Sequence, residues 1–150
     1  LTGGYMTLAA TLCNARVRDG IAAGDHPVLM HGPTFMANPL ACAVASASID
    51  LLCSSPWRRR VARIEQRLRD GLAPCAACDA VADVRVRGAI GVVEMKQPID
   101  VAVVQRRLVE AGVWLRPFGR LLYTMPPYVI DDASLERLIA AMVAIAAGAR

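Results

Sequence analysis

Several residue types that carry catalytic chemistry are scarce in this sequence of 150 residues. It has two histidines and one lysine, Lys96, and aromatic residues make up only 5% of the chain. No Ser–His–Asp arrangement, pair of acid–base carboxylates or GxGxxG loop after a strand can be built from the residues present. The familiar hydrolase and dinucleotide-binding patterns are therefore excluded.

The five cysteines match neither a metal site nor a disulfide framework. Cys75 and Cys78 have CxxC spacing, but no second pair or nearby histidine completes a zinc ligand set. The pair also lacks the strand-to-helix setting of a thioredoxin-type site. An odd number of thiols, none at a framework spacing, is typical of a reducing cytoplasm. We expect no metal site and a cytoplasmic location.

Long apolar runs are also missing. No run reaches the length of a membrane span, and the first residues carry no basic stretch ahead of an apolar core. These absences predict a soluble chain with no membrane partner. The chain is nevertheless 55% hydrophobic, which allows a sizeable core and is high for an isolated soluble domain. Some apolar surface is therefore expected to meet other chain segments or a partner subunit.

Arginine carries almost all of the positive charge, and the formal net charge is +4. Six arginines fall in one helical stretch: Arg58, Arg59, Arg60, Arg63, Arg67 and Arg69. Such a cluster can contact nucleic acid, but few aromatics accompany it and no nucleic-acid recognition motif follows. A solvated helix face is the preferred interpretation, and no nucleic-acid partner is expected.

The hydrophobic periodicity gives a coarse order of elements. Helical spacing of apolar residues occurs in five segments: 5–19, 38–52, 57–72, 99–111 and the stretch after Asp131. Strand patterns occur in four: 81–87, 90–95, 113–118 and 121–125. The helix over 38–52 is apolar almost all round, so we expect it to be buried. From about residue 80 the order β-β-α-β-β-α predicts a two-layer α+β lobe.

The stretch 30–41 holds the densest group of conformationally special residues. Gly32 lets another group approach the backbone, Pro33 fixes φ, and Thr34 can hydrogen-bond. The Asn-Pro pair at 38–39 predicts an N-cap and a proline at the first helical position. A hydroxyl near free N–H groups and a helix start suits an anion such as a phosphate. The alternative is an ordinary loop before a helix.

Arg116 and Tyr123 are the other polar candidates. Arg116 lies inside the apolar segment 113–118, so we expect a partly buried guanidinium that needs an anionic partner. That partner is either the carboxylate of a ligand or Glu94 of the hairpin, in an internal salt bridge. Tyr123 can reach the same area, or it is a core tyrosine whose hydroxyl is hydrogen-bonded.

Several blocks resemble a known enzyme family. The segment Met30-His-Gly-Pro-Thr-Phe-Met-Ala-Asn-Pro-Leu-Ala-Cys-Ala closely resembles the HGxTFxxNPLACA block of the class III, fold-type I pyridoxal-phosphate (PLP) aminotransferases. The similarity runs from residue 1 to about 147 and includes Leu1-Thr-Gly-Gly and Gly88-Ala-Ile-Gly-Val-Val-Glu. Trp114-Leu-Arg-Pro-Phe-Gly and Met125-Pro-Pro-Tyr resemble the biotin-biosynthesis branch rather than those that act on ornithine or 4-aminobutyrate.

The resemblance implies an α/β fold, namely the C-terminal part of a fold-type I aminotransferase. Residues 1–40 would be the end of the large PLP-binding domain, 41–74 the linking helices, and 75–150 the small C-terminal α+β domain. The implied enzyme is a homodimer with the cofactor pyridoxal 5′-phosphate. It would move an amino group from S-adenosylmethionine to 8-amino-7-oxononanoate. The alternatives are another class III ω-amino acid aminotransferase and a non-catalytic α+β binding module.

Site roles follow from the resemblance, residue by residue. Thr34 would bind the cofactor phosphate across a dimer interface, with Pro33 beside it. Gly32 would line the substrate region. Arg116 would hold the carboxylate of the keto-acid substrate, and Tyr123 would lie near the same pocket.

No catalytic residue is expected within the sequence. The family's Schiff-base lysine lies just before the Leu-Thr-Gly-Gly segment and would fall upstream of Leu1. Lys96 follows the hairpin and cannot stand in for it. Because the chemistry needs that amine, we expect these residues to form an inactive fragment, with no PLP bound to it alone.

Overall fold

The computed structural model describes residues 1–148. The chain divides into two compact units, Leu1–Pro56 and Trp57–Arg150. The helices are α1 (Ala15–Ala22), α2 (Pro39–Ser54), α3 (Trp57–Leu72), α4 (Val101–Glu110) and α5 (Asp132–Ala147), with a 3₁₀ helix at Ala73–Ala77. The strands are β1 (Val81–Arg87), β2 (Ile90–Met95) and β3 (Leu121–Thr124). The division of this chain into residues 1–40, 41–74 and 75–150 stays a prediction.

In the first unit, α2 begins as the sequence predicts. The Asn38 side chain accepts a hydrogen bond from the Ala41 N–H at 3.0 Å, and Pro39 occupies the first helical position. The Asn38 carbonyl accepts the Cys42 N–H at 3.0 Å and so starts the helical ladder. This cap fixes the point at which the preceding turn ends.

The helix predicted over 5–19 is wrong in its bounds. α1 begins only at Ala15, because Asn14 caps it by accepting the Val17 N–H at 3.1 Å. At the start of the chain, the Thr2 hydroxyl instead donates to the Met6 carbonyl, and two glycines with positive φ follow Thr2. A local hydrogen-bonded turn thus replaces the first part of the predicted helix.

The prediction that the helix over 38–52 is buried is also wrong. The buried residues of α2 are Ala41 and Ala45, whereas Leu40 is 63% exposed and Leu51 is 73% exposed. Apolar character all round a helix is typical of burial, so these side chains are candidates for contact with another segment or subunit.

The second unit is built on an antiparallel sheet of order β1-β2-β3. Gly88, at φ +56°, turns the β1–β2 hairpin as predicted. The α3, α4 and α5 helices pack on the sheet through one core, in which the largest side chains are completely buried: Ile64, Leu68, Leu72, Val93, Leu108, Leu122, Leu135 and Met142. Each such side chain contributes about 1.5–3 kcal/mol through its burial.

The predicted strand over 113–118 does not join the sheet. Its one pairing within the described part of the chain is an isolated bridge in which Phe118 and Leu121 exchange hydrogen bonds of 2.9 and 2.8 Å. Pro117 has no N–H to donate, which limits how far a ladder can extend here. The lobe is therefore β-β-α-β-α, with an irregular segment in place of the third predicted strand.

Part of the arginine cluster holds α3 to α5. Arg63 and Arg67 both donate to the Asp132 carboxylate, and Arg67 also bonds Glu136 at 2.7 Å. At the same end of α5, Asp131 caps the helix, and its hydrogen bonds from Ser134 hold the pKa of its carboxyl below the ordinary value. These arginines therefore link two helices of the core.

Within residues 1–148 no single helix is both long enough and apolar enough to span a membrane. Only a broken pair, Pro39–Ser54 with Trp57–Ala77, reaches that length and composition together.

Candidate functional site

The turn predicted to bind an anion lies immediately before α2. The Pro33 carbonyl accepts the Met36 N–H at 2.8 Å, which closes the turn around Thr34. Ala37 follows at φ +57°, a left-handed backbone conformation that residues other than glycine rarely adopt. This sharp change of direction brings the turn directly onto the capped start of the helix.

The donors of this turn are free to meet an anion. Thr34 is exposed, and over the part of the chain that is described neither its hydroxyl nor its N–H has a hydrogen-bond partner. Gly32 has nothing within 4 Å of where a Cβ would stand, so a ligand can approach the backbone. A hydroxyl and a free N–H near the positive end of α2 are the chemistry that a phosphate needs. These residues therefore fit a phosphate group.

In the second unit, Arg116 and Tyr123 line one cleft of about 400 Å³. Its other walls are largely apolar: Trp114, Leu115, Met125, Pro126, Pro127 and Ile130. In the sequence, residues 125–127 indicate the end of a strand and carry part of the family resemblance, but their place in the wall of a cleft was not predicted. The cleft joins one guanidinium to an extended apolar surface.

For Arg116 the predicted partial burial is wrong, and of the two partners left open the internal one, Glu94, is not used. The side chain is exposed rather than partly buried, and it forms no ion pair with any of residues 1–148. Glu94 accepts hydrogen bonds from Arg85 and Arg120 instead, each at 2.7 Å. Because the segment around Arg116 does not join the sheet, its guanidinium stays available for a ligand.

Tyr123 lies on β3 opposite Val92 of β2. Its neighbours Leu122 and Thr124 are buried, whereas Tyr123 is only half-buried, as the alternation of side chains along a strand requires. It is therefore a wall of the cleft rather than a core tyrosine.

The candidate residues fall into two groups. Gly32, Pro33 and Thr34 belong to the first unit, and Arg116 and Tyr123 belong to the second. Lys96 lines a different cavity of the second unit, of about 560 Å³, together with Asp79, Asp100 and Arg107. Over residues 1–148 no three His, Cys, Asp or Glu side chains form a metal site.

The comparisons with known proteins all point to one enzyme family. The family model described as aminotransferase class-III matches residues 1–146. An adenosylmethionine-8-amino-7-oxononanoate aminotransferase of Mycobacterium leprae is 49% identical over 146 residues, 97% of this chain and 34% of that relative. This chain therefore spans about a third of the length of such a relative.

Two solved structures are similar in fold and sequence. An amine transaminase from an uncultivated Pseudomonas species, in its PLP-bound form, has a TM-score of 0.80 and 28% identity over 94% of this chain and 35% of its own. The adenosylmethionine-8-amino-7-oxononanoate aminotransferase of Methanocaldococcus jannaschii has a TM-score of 0.80 and 26% identity over 97% of this chain and 36% of its own. These neighbours agree with the predicted fold class, the α/β fold of the fold-type I aminotransferases.

Proposed function

We propose that this chain, which belongs to the class III aminotransferase family, serves an enzyme that moves an amino group from S-adenosylmethionine to 8-amino-7-oxononanoate. The names of the M. leprae and M. jannaschii relatives support this pair of substrates. The single observation that carries the proposal is the cleft in which an exposed Arg116 meets apolar walls. The product would be 7,8-diaminononanoate, in the biotin pathway.

The acceptor substrate matches the cleft in its chemistry. It is a carboxylate joined by a run of methylene groups to a ketone. Arg116 binds the carboxylate, because a guanidinium fork and a carboxylate form two parallel charge-assisted hydrogen bonds. The walls formed by Trp114 and Met125 cover the aliphatic chain, and Tyr123 borders the same space. Such binding holds the reacting ketone at a set distance from Arg116.

The turn before α2 holds the cofactor phosphate in this proposal. Thr34 donates its hydroxyl and N–H, Pro33 closes the turn, and Gly32 leaves space beside it. PLP, when bound, supplies the electron sink for the transfer of the amino group.

The same turn supports a homodimer. Met30 is 90% exposed and Phe35 is 76% exposed, on either side of Thr34. Exposed apolar side chains next to a ligand-binding turn favour coverage by a second subunit. Thr34 then completes the cofactor site of that second subunit.

A cytoplasmic location is also part of the proposal. It is supported by cysteines that lack the spacing of a disulfide framework.

The amino donor tests the proposed reaction against its nearest alternative, another ω-amino acid aminotransferase. An active preparation that contains this chain is given 8-amino-7-oxononanoate with S-adenosylmethionine, ornithine or 4-aminobutyrate. We expect the highest rate with S-adenosylmethionine, measured as 7,8-diaminononanoate formed. If S-adenosylmethionine is not used at all, the proposed substrate pair is wrong even though the family is right.

The Thr34→Ala variant tests the phosphate turn. Loss of one hydrogen bond to a charged group costs about 1.5 kcal/mol or more, so the Kd for PLP should rise about tenfold. Thr34→Ser keeps the hydroxyl and should bind nearly as tightly as the unmodified protein. Thr11→Ala, at another exposed threonine of the same unit, is the matched control. Titration of the cofactor-free enzyme with PLP gives these constants, and an unchanged Kd for Thr34→Ala contradicts the assignment.

A further inference from the structure

Cys75 and Cys78 lie together in the turn that joins α3 to β1. Cys75 belongs to the 3₁₀ helix Ala73–Ala77, and the N–H of Cys78, the capping residue, donates to the Cys75 carbonyl at 3.0 Å. Side chains three residues apart in a 3₁₀ turn lie one above the other. Such turns keep the two Cα atoms within about 7 Å, and a disulfide needs about 4.4–6.8 Å. The backbone therefore brings the two cysteines into the range of a disulfide.

The two side chains also turn toward the same core. Cys75 is completely buried, and Cys78 is partly buried against the same cluster. The Cys78 Sγ lies 3.9 Å from the carbonyl oxygen of Pro74, so its side chain folds back along the turn toward Cys75. Burial raises the pKa of the Cys75 thiol, and the nearby Cys78 adds to this effect. Within this pair, Cys78 is therefore the thiol that an external reagent reaches first.

We propose that Cys75 and Cys78 are a redox-modification site, which closes to a disulfide by exchange with the disulfide of a low-molecular-weight thiol. The Cys78 sulfur attacks the small disulfide, a mixed disulfide forms, and one small thiol leaves with the proton from Cys78. The Cys75 sulfur then attacks the Cys78 sulfur and releases the second small thiol with its proton. The protein loses two electrons and two protons, and the small disulfide is reduced to two thiols.

The other three cysteines provide an internal comparison. Cys13, Cys42 and Cys53 are all exposed, so a small disulfide can reach them. Cys42 and Cys53 lie on the same helix eleven residues apart, which separates them by about 16 Å along its axis. That distance is too great for a bridge within the helix, so these two thiols should stop at the mixed disulfide.

A tryptic mass map tests the proposal. Cleavage after Arg69 and Arg85 gives one peptide, 70–85, that holds Cys75 and Cys78 and no other cysteine. The native protein is incubated with oxidised glutathione, its remaining thiols are alkylated, and the digest is analysed without reduction. We expect peptide 70–85 to be about 2 Da lighter than its dithiol form and free of alkylation. Reduction before alkylation should give the doubly alkylated peptide.

Two variants separate the steps of the exchange. Cys75→Ala should retain glutathione on Cys78, since nothing displaces it, and circular dichroism verifies that this variant is folded. Cys78→Ser should leave Cys75 unmodified, because the buried thiol is not reached directly. The proposal fails if, in the protein without substitutions, Cys78 stops at the mixed disulfide. It also fails if peptide 70–85 is still a dithiol when Cys42 and Cys53 carry glutathione.

Discussion

Replacing Arg116 by alanine should lower kcat/KM for the keto-acid substrate about a hundredfold. The guanidinium is exposed in the cleft and has no ion-pair partner among the described residues, so in this proposal its hydrogen bonds go to the substrate. A charge-assisted hydrogen bond contributes about 1.5–3 kcal/mol, and losing a bidentate pair therefore removes about 3 kcal/mol. Steady-state kinetics over a range of keto-acid concentrations measures this loss.

Two comparisons assign the loss to carboxylate binding. Arg116→Lys keeps the charge but not the planar fork, so its kcat/KM should fall between those of Arg116→Ala and the unmodified enzyme. The methyl ester of the keto acid has no carboxylate, and Arg116→Ala should process it as well as the unmodified enzyme does. Arg106→Ala, at an exposed arginine outside the cleft, is the matched control. An equal loss for acid and ester would contradict carboxylate binding.

The elements that the sequence predicts well have strong local signals. The α3 helix spans Trp57–Leu72 in both prediction and structure, because Ile64, Leu68 and Leu72 recur at intervals of four and all lie in the core. Its opposite face carries arginines, so the period is unambiguous. The cap and proline at the start of α2 are equally local, since they need only the residues at 38–41.

The failures occur where a local pattern has no tertiary partner. Residues 5–14 have helical spacing, but their apolar side chains Leu12 and Tyr5 are 91% and 87% exposed. A short helix is marginal without a buried face, so spacing alone does not create one. The segment over 113–118 has strand composition, but it makes one isolated bridge to Leu121. Composition cannot reveal whether a neighbouring strand is free to pair.

The site could be predicted only in part for a similar reason. The sequence identifies Arg116 as an arginine that needs an anion, but it does not say which one. Glu94 instead forms salt bridges with Arg85, across the β1–β2 pairing, and with Arg120, from the turn before β3. That competition depends on the register of three strands. Register is a tertiary property, so the freedom of Arg116 is visible only in the folded chain.

Replacing Gly71 by alanine should destabilise the second unit by about 2 kcal/mol, against the usual sign of this substitution. Alanine normally stabilises a helix by about 1 kcal/mol relative to glycine. At Gly71, however, an added Cβ would stand 2.5 Å from Ile139 Cγ2 and 3.1 Å from its Cδ1. Ile139 is only 8% exposed on α5, and its β-branched side chain is stiff at χ1, so it can give way only at an energetic cost. Overpacking of this kind costs about 1–3 kcal/mol or more.

A second substitution should reverse the sign. Ile139→Ala removes both of the clashing carbon atoms, so in that background Gly71→Ala should stabilise by up to about 1 kcal/mol through helix propensity. Denaturant unfolding followed by circular dichroism gives the four free energies of the cycle. Gly20→Ala on α1, where nothing lies within 4 Å of an added Cβ, is the control for propensity alone. An equal cost of Gly71→Ala in both backgrounds would place the penalty in the α3 backbone instead of in its contact with α5.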